Sequence, residues 1–313
     1  MSLEIIGAES LGVRGLCCLV TLPDRRIVID PGLSLGYRRE GLLPHPVQIC
    51  IGRRIRERIL RALDGATDVV FSHFHGDHVP LVDANPYQLS VRALPRSFPA
   101  LRCWCKSGND LSADMNKRFH DLAVLLGTNM QVAEGRSEGS LSFSHSVPHG
   151  AVDSNMGTLM MTRIKMDHRV FAHASDIQLL DDLTVDELID WGPDIVLAGG
   201  PPLYLGRLSK AERERAWDNA VRLAQHIEVV ILDHHLMRSE EGAMWLDTLS
   251  MAIGKKIYCA ADYMDQPRRL LEADRAGLYE HIPVPDGWHD AYAKGRVNPD
   301  RYLNEFCYRD TQL

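Results

Sequence analysis

No apolar run in these 313 residues approaches the roughly 20 that a membrane-spanning helix needs. A basic excess is missing too: 35 Lys and Arg stand against 42 Asp and Glu, a formal charge of −7, so no global positive field invites nucleic acid. A local basic patch is still compatible with that total. The seven cysteines are an odd number with no repeated framework spacing, which suits reduced thiols better than a disulfide scaffold. The opening MSLEIIGAES has neither a basic nor an apolar leader region, so no signal peptide and a cytoplasmic location are expected. Internal repeats, low-complexity tracts and long polar linkers are absent as well. With 45% hydrophobic and 25% charged residues the chain is ordinary globular material. The expectation is one domain over residues 1–313, with 263–313 as a C-terminal elaboration.

What the sequence does have is histidine, 14 in all. Most of the remaining pattern is scaffold. Cys17–Val20 and Ile27–Ile29 flank a Pro-Asp turn and predict a hairpin whose second strand ends at Asp30-Pro31-Gly32. From about Val47 to Leu63 the apolar residues follow a helical stripe, with Arg53, Arg54, Arg56 and Arg58 largely off it. That arginine run reads as a solvated face, with an anion-binding patch as the alternative. Short strands are expected at 68–71, 141–143, 158–164, 170–173, 195–198, 229–232 and 256–260. Helices are expected at 115–126, 185–191, 212–226 and 267–278. Residues 283–313 yield no assignment. Strands dominate early and alternate with helices later, so the class is mixed α and β. Cys103-Trp104-Cys105, without a second pair, reads as structural thiols rather than a metal site.

Residues 73–78 read His73-Phe74-His75-Gly76-Asp77-His78, directly after a buried apolar strand. A helix could not offer three histidines and an aspartate to one point, but a tight loop at a strand end can. Imidazole and carboxylate together favour Zn²⁺, with iron or manganese also compatible.

This H-x-H-x-D-H run resembles the metallo-β-lactamase superfamily, a four-layer αββα sandwich with a binuclear metal site. The family's other elements have matches in the same order. Asp30-Pro31-Gly32 matches an early Asp-x-Gly turn, and Pro148-His149-Gly150 a histidine loop before a strand. Asp176 matches a metal-bridging aspartate after a strand, and Asp233-His234-His235 a histidine at a late strand's tip. Arg38-Arg39, Pro44-His45-Pro46 and Gly199–Leu205 further resemble a largely archaeal, hydrolase-like branch of the superfamily.

The resemblance implies two divalent ions: His73, His75 and His149 at one, Asp77, His78 and His234 at the other, with Asp176 bridging. Asp77 would also orient a metal-bridging hydroxide. His145 shares the third-ligand loop with the preferred His149. His234 is the preferred last ligand and His235 the candidate proton donor, with the reverse assignment open. Arg38, Arg39 and Tyr204 are candidate substrate contacts. The implied activity is hydrolysis of an ester, thioester, lactone or phosphodiester in a small molecule. A mononuclear iron oxygenase of the persulfide-dioxygenase type and a nuclease are the alternatives. Only about 60 residues separate Asp176 from His234, too few for the inserted cap domain of the superfamily's large nucleases. Oligomeric state is open.

Overall fold

In the computed structural model, which describes residues 1–151 and 156–310, two six-stranded sheets carry the chain. The first contains, in spatial order, β1 (Ser2–Gly7), β2 (Cys17–Thr21), β3 (Arg26–Ile29), β4 (Asp68–Phe71), β5 (Arg102–Cys105) and β6 (Met130–Val132). The second contains β7 (Ser137–Glu138), β8 (Leu141–Pro148), β9 (Thr158–Met166), β10 (Arg169–Ser175), β11 (Ile195–Ala198) and β12 (Val229–Leu232), again in sequential order. Pairing is antiparallel from β1 to β3 and parallel from β3 to β6. The second sheet repeats the plan, antiparallel from β7 to β10 and parallel on to β12.

Parallel neighbours need crossover connections, and helical crossovers cover the sheet faces. Here α1 (Pro46–Asp64) joins β3 to β4 and α2 (Ala113–Leu126) joins β5 to β6. On the other sheet α3 (Asp182–Asp190) joins β10 to β11, α4 (Lys210–His226) joins β11 to β12, and α5 (Glu240–Ile253) follows β12. The result is the mixed α/β, four-layer αββα sandwich. The parallel strands β4 and β11 are buried at every residue, as their unbroken apolar runs require. Between the sheets, Trp104 of β5 stacks on Phe143 of β8 with ring centroids 5.9 Å apart.

The C-terminal stretch departs from expectation. Residues 256–260 form no strand; Tyr258 makes a single bridge to Ile231, and Cys259 then caps α6 (Ala260–Tyr263). The diversion has a cause, because Ala260 N–H donates to the buried Asp233 at 2.8 Å. The helix expected over 267–278 begins only at Arg275, as α7 (Arg275–His281). Tertiary bonds win over helical periodicity there: Arg269 N–H donates to Ser10 O at 2.8 Å. Beyond lie α8 (Trp288–Ala293) and α9 (Asp300–Asp310). This segment packs on the start of α1, where Tyr279 and Tyr302 meet His45 edge-on. Cys103 and Cys105 are buried in β5, and Cys17, Cys18, Cys50 and Cys259 are, like them, buried free thiols. No helix among the described residues is long and apolar enough to cross a membrane.

Candidate metal centre

Strand direction gathers the site. The carboxyl ends of β3, β4, β10 and β12 release Asp30, His73–His78, Asp176 and His234-His235, and such ends are where open α/β sheets place ligands. β8 runs the same way as β10, since each is antiparallel to β9, so His149 emerges at the same edge. Three of these exits have left-handed backbone at residues other than glycine: Asp30 (φ 48°), Ser175 (φ 50°) and His234 (φ 36°). Each costs on the order of 1–3 kcal/mol and persists only where the surroundings over-determine it.

They are over-determined by hydrogen bonds. Asp30 accepts from Ser72 N–H at 2.8 Å and from the Ser72 and Ser175 hydroxyls, and its Oδ2 lies 3.0 Å from His78 Nδ1. Asp233 accepts from Ser10 N–H at 3.0 Å and from His234 N–H at 2.7 Å, pinning the end of β12. Gly32 explains the Asp-x-Gly turn: a Cβ there would lie 2.3 Å from the backbone of His78 and Val79. Only glycine lets the two loops touch.

Four overlapping sets of donor atoms converge, and two of them together contain every ligand that the resemblance implies. His73, His75, His149 and Asp176 form one, and Asp77, His78 and His234 the other, each within 4.8 Å of one another. Tetrahedral bonds of about 2.0–2.1 Å would separate neighbouring donor atoms by roughly 3.3 Å. In the first set His73 Nε2 is 3.0 Å from His75 Nδ1 and 3.6 Å from Asp176 Oδ2, and His149 Nε2 is 3.1 Å from Asp176 Oδ2. In the second, His78 Nε2 is 3.3 Å from His234 Nε2 and 3.0 Å from Asp176 Oδ1. His234 Nε2 is 3.4 Å from Asp176 and 3.6 Å from Asp77. Nitrogen and carboxylate donors at these spacings fit divalent cations, with Asp176 facing both positions.

The histidines divide: His75 and His234 are held as free bases, whereas Asp176 and Asp30 raise His78 well above the ordinary imidazole value. Burial pushes the His75 imidazole down to about 2, with His73 and His149 adding to it, so the ring is a free base. His234 is pushed down to about 4 by burial, against the pull of Asp176. Burial would raise Asp176 and Asp77, yet the surrounding charges, His78 and His234 among them, hold both carboxyls below the usual range. Asp30 is held at about 2 despite its burial, because the bond and charge of His78, with His173 and His73, together outweigh the desolvation.

Each residue singled out in the sequence now has a location. His145 is exposed on β8, away from the cluster, and His149 is buried within it. His235 Nε2 lies 3.2 Å from Asp176 Oδ2, and Asp176, His234 and His235 form a further cluster of donor atoms, so the geometry leaves the choice between the two histidines open. Arg38 is not at the centre; it is exposed and donates to Gly41 O at 3.0 Å. Arg39 reaches Glu272 Oε1 at 3.4 Å and lies 6.0 Å from the Tyr204 ring, which is also 5.9 Å from Arg238.

Arg238 is the residue that the sequence reading misses. Its guanidinium is 7% exposed, with Nη2 3.3 Å from Asp77 Oδ2 and 2.7 Å from His234 Nε2. Nη1 donates to Tyr204 OH at 3.2 Å and Nε to Glu9 Oε2 at 3.3 Å. A 3₁₀ turn over Leu236–Arg238 aims it back at the strand end, and no spacing in the sequence signals that turn. Gln178, 3.3 Å from His149 Nδ1, is a second unforeseen neighbour.

No family model matches the chain. A UPF0282 protein of Methanosarcina mazei is 45% identical over 97% of this chain and 100% of its own length. A UPF0282 protein of Thermococcus kodakarensis is 31% identical over 88% of this chain and 94% of its own. Both organisms are archaea. Among solved structures, an isothiocyanate hydrolase from Delia radicum gut bacteria superposes with TM-score 0.51 at 16% identity, over 83% of this chain and 95% of that one. A metal-dependent hydrolase of the β-lactamase superfamily also gives 0.51, at 13% identity over 82% and 94%. At such identities the likeness is one of fold, that of the metallo-β-lactamase superfamily.

Proposed function

The chain belongs to the UPF0282 family, and from that membership, its fold and its donor sets we propose that it is a metal-dependent hydrolase of small molecules. The observation that carries the reading is the convergence on Asp176 of histidine nitrogens from three separate strand ends, at tetrahedral spacing. Three histidines and shared carboxylates, buried at one sheet edge, are more than any hydrogen-bonding role requires.

His73, His75 and His149 would hold the first ion and Asp77, His78 and His234 the second, with Asp176 between them. Zn²⁺ is the ion that best suits the nitrogen-rich set. Bound there, divalent cations supply Lewis acidity and bring a water's pKa towards about 7. The protein's own contribution is orientation. Asp30 fixes the His78 ring so that Nε2 faces Asp176, and Ser72 Oγ, 2.9 Å from His73 Nδ1, fixes the other nitrogen of His73. Asp77, held ionised, would accept a hydrogen bond from an O–H of the attacking water and so direct its lone pair. His235, beside Asp176 and not in the Asp77 set, is our candidate proton donor to the leaving group; burial holds its ring well below the ordinary imidazole range, so it would first take up the proton that the attacking water releases. An ester, thioester, lactone or phosphodiester fits this chemistry.

The test is metal analysis with activity. Protein stripped by chelator and reloaded with Zn²⁺ is screened against chromogenic esters, thioesters, lactones and phosphodiesters. Zinc-dependent turnover that disappears in Asp176→Asn is the expected result. Iron retained through purification together with thiol-dependent oxygen uptake would overturn it in favour of an oxygenase.

A further inference from the structure

The two metal positions are built differently, and the difference is Arg238. Around His73 and His149 the flanking groups are Ser72 Oγ and the Gln178 amide, neither of them charged. At the second position a guanidinium lies against two of the donor side chains: Arg238 Nη2 is 3.3 Å from Asp77 Oδ2 and meets the edge of the His234 ring, 2.7 Å from Nε2 and 3.2 Å from the Nδ1 that accepts from Gly15 N–H. Nor is it a loose side chain. Its Nε and Nη1 are tied to Glu9 and Tyr204, and it sits on the short turn that begins just after His234. Glu9 is anchored in turn by its neighbour Ser10, whose N–H and hydroxyl both donate to Asp233.

We propose that Arg238 governs the second metal position, so that the two positions fill unequally: the His73/His75/His149/Asp176 position tightly, the Asp77/His78/His234 position weakly. The inference rests on the reading that these sets hold metal. Its chemistry is direct. Asp77, partly neutralised by the guanidinium, attracts a second cation less. An ion at that position would also sit close to a fixed like charge in a buried setting, where screening is poor. The second ion binds only as the guanidinium withdraws from the donors. Arg238 thereby holds a positive charge beside Asp77 while the second ion is absent, and sets the metal concentration at which the full pair forms.

The experiment is a Zn²⁺ titration of the metal-free, full-length protein against a chromophoric chelator, with stoichiometry checked by elemental analysis. The expected wild-type result is one tight ion and a second bound at least about tenfold more weakly. Arg238→Met should tighten the second ion about tenfold or more and leave the first unchanged, whereas Arg238→Lys should keep the gap. Because Arg238→Met leaves the buried Glu9 without its partner, the double variant Glu9→Gln/Arg238→Met, with both members of the pair replaced, is titrated alongside and should tighten the second ion equally. Two ions of equal affinity in the wild type, or a second ion no tighter in either variant, overturns the role of Arg238 while leaving the metal reading intact. No zinc bound at all overturns both.

Discussion

Asp30 Oδ2 lies 3.0 Å from His78 Nδ1, and the far nitrogen of the same ring lies 3.0 Å from Asp176 Oδ1. A carboxylate from one sheet thus grips the imidazole that faces a carboxylate from the other. The grip fixes the ring's orientation, and the two carboxylates, Asp176 first, raise its pKa well above the ordinary imidazole value against the effect of burial.

Asp30→Asn should therefore weaken metal binding without removing any donor. Outer partners of metal-bound histidines are worth about 10–100-fold in affinity. Chelator competition against the wild type measures this, and an unchanged affinity would show that Asp30 serves only the fold. The same carboxyl is held at about 2, below its ordinary 3.8, by His78. Its contribution, on the order of 2 kcal/mol, is present above pH 4 and lost as pH falls through 2.

His234 and His235 are adjacent but should behave differently. His234 Nε2 meets Asp77, His78 and Asp176, whereas the hydrogen-bond-range contact of His235 Nε2 is to Asp176. His234→Ala should strongly lower retention of the second ion after dialysis. His235→Ala should keep metal content nearly intact and alter the rate or its pH profile, as loss of a proton donor would. The reversed pattern of metal loss would exchange their roles.

His45 makes a pH prediction far from the metals. Its Nδ1 accepts from Val47 N–H at 3.2 Å, capping α1, and its Nε2 lies 2.8 Å from Ile282 O. The neutral ring satisfies both contacts; a second proton destroys the cap. Burial accordingly pushes its pKa down to about 4 from 6.5. Between pH 6.5 and 4 the unfolded chain binds more protons than the folded one, so stability is full above 6.5 and lost as pH falls to 4. The loss is on the order of 3 kcal/mol. Thermal melts of wild type and His45→Asn, metal-free, should converge as pH falls from 7 to 4.5; parallel curves would remove His45 as the cause.

The strands β2, β3, β4, β8 to β12 and the helices α1 to α4 are legible in the chain itself, because each has an apolar run or stripe of the right period. So is the His73–His78 loop, whose donors are local in sequence. Resemblance, rather than periodicity, brought His149, Asp176 and His234 to the same place, and the parallel strand ends make that physically necessary. Other features were decided by tertiary structure alone. Residues 256–260 and 267–274 abandon their local preferences because Asp233 and Ser10 offer better hydrogen bonds than strand or helix would. Arg38 and Arg39 are neighbours with the same chemistry, yet only Arg39 reaches Glu272 and the side of Tyr204. Arg238 enters the centre because a 3₁₀ turn, a buried Glu9 from the first turn of the chain and a tyrosine from the loop after β11 hold it there. A sequence shows which residues can bind a cation; it does not show which buried charge already stands beside them, because that charge is placed by segments more than 200 residues apart.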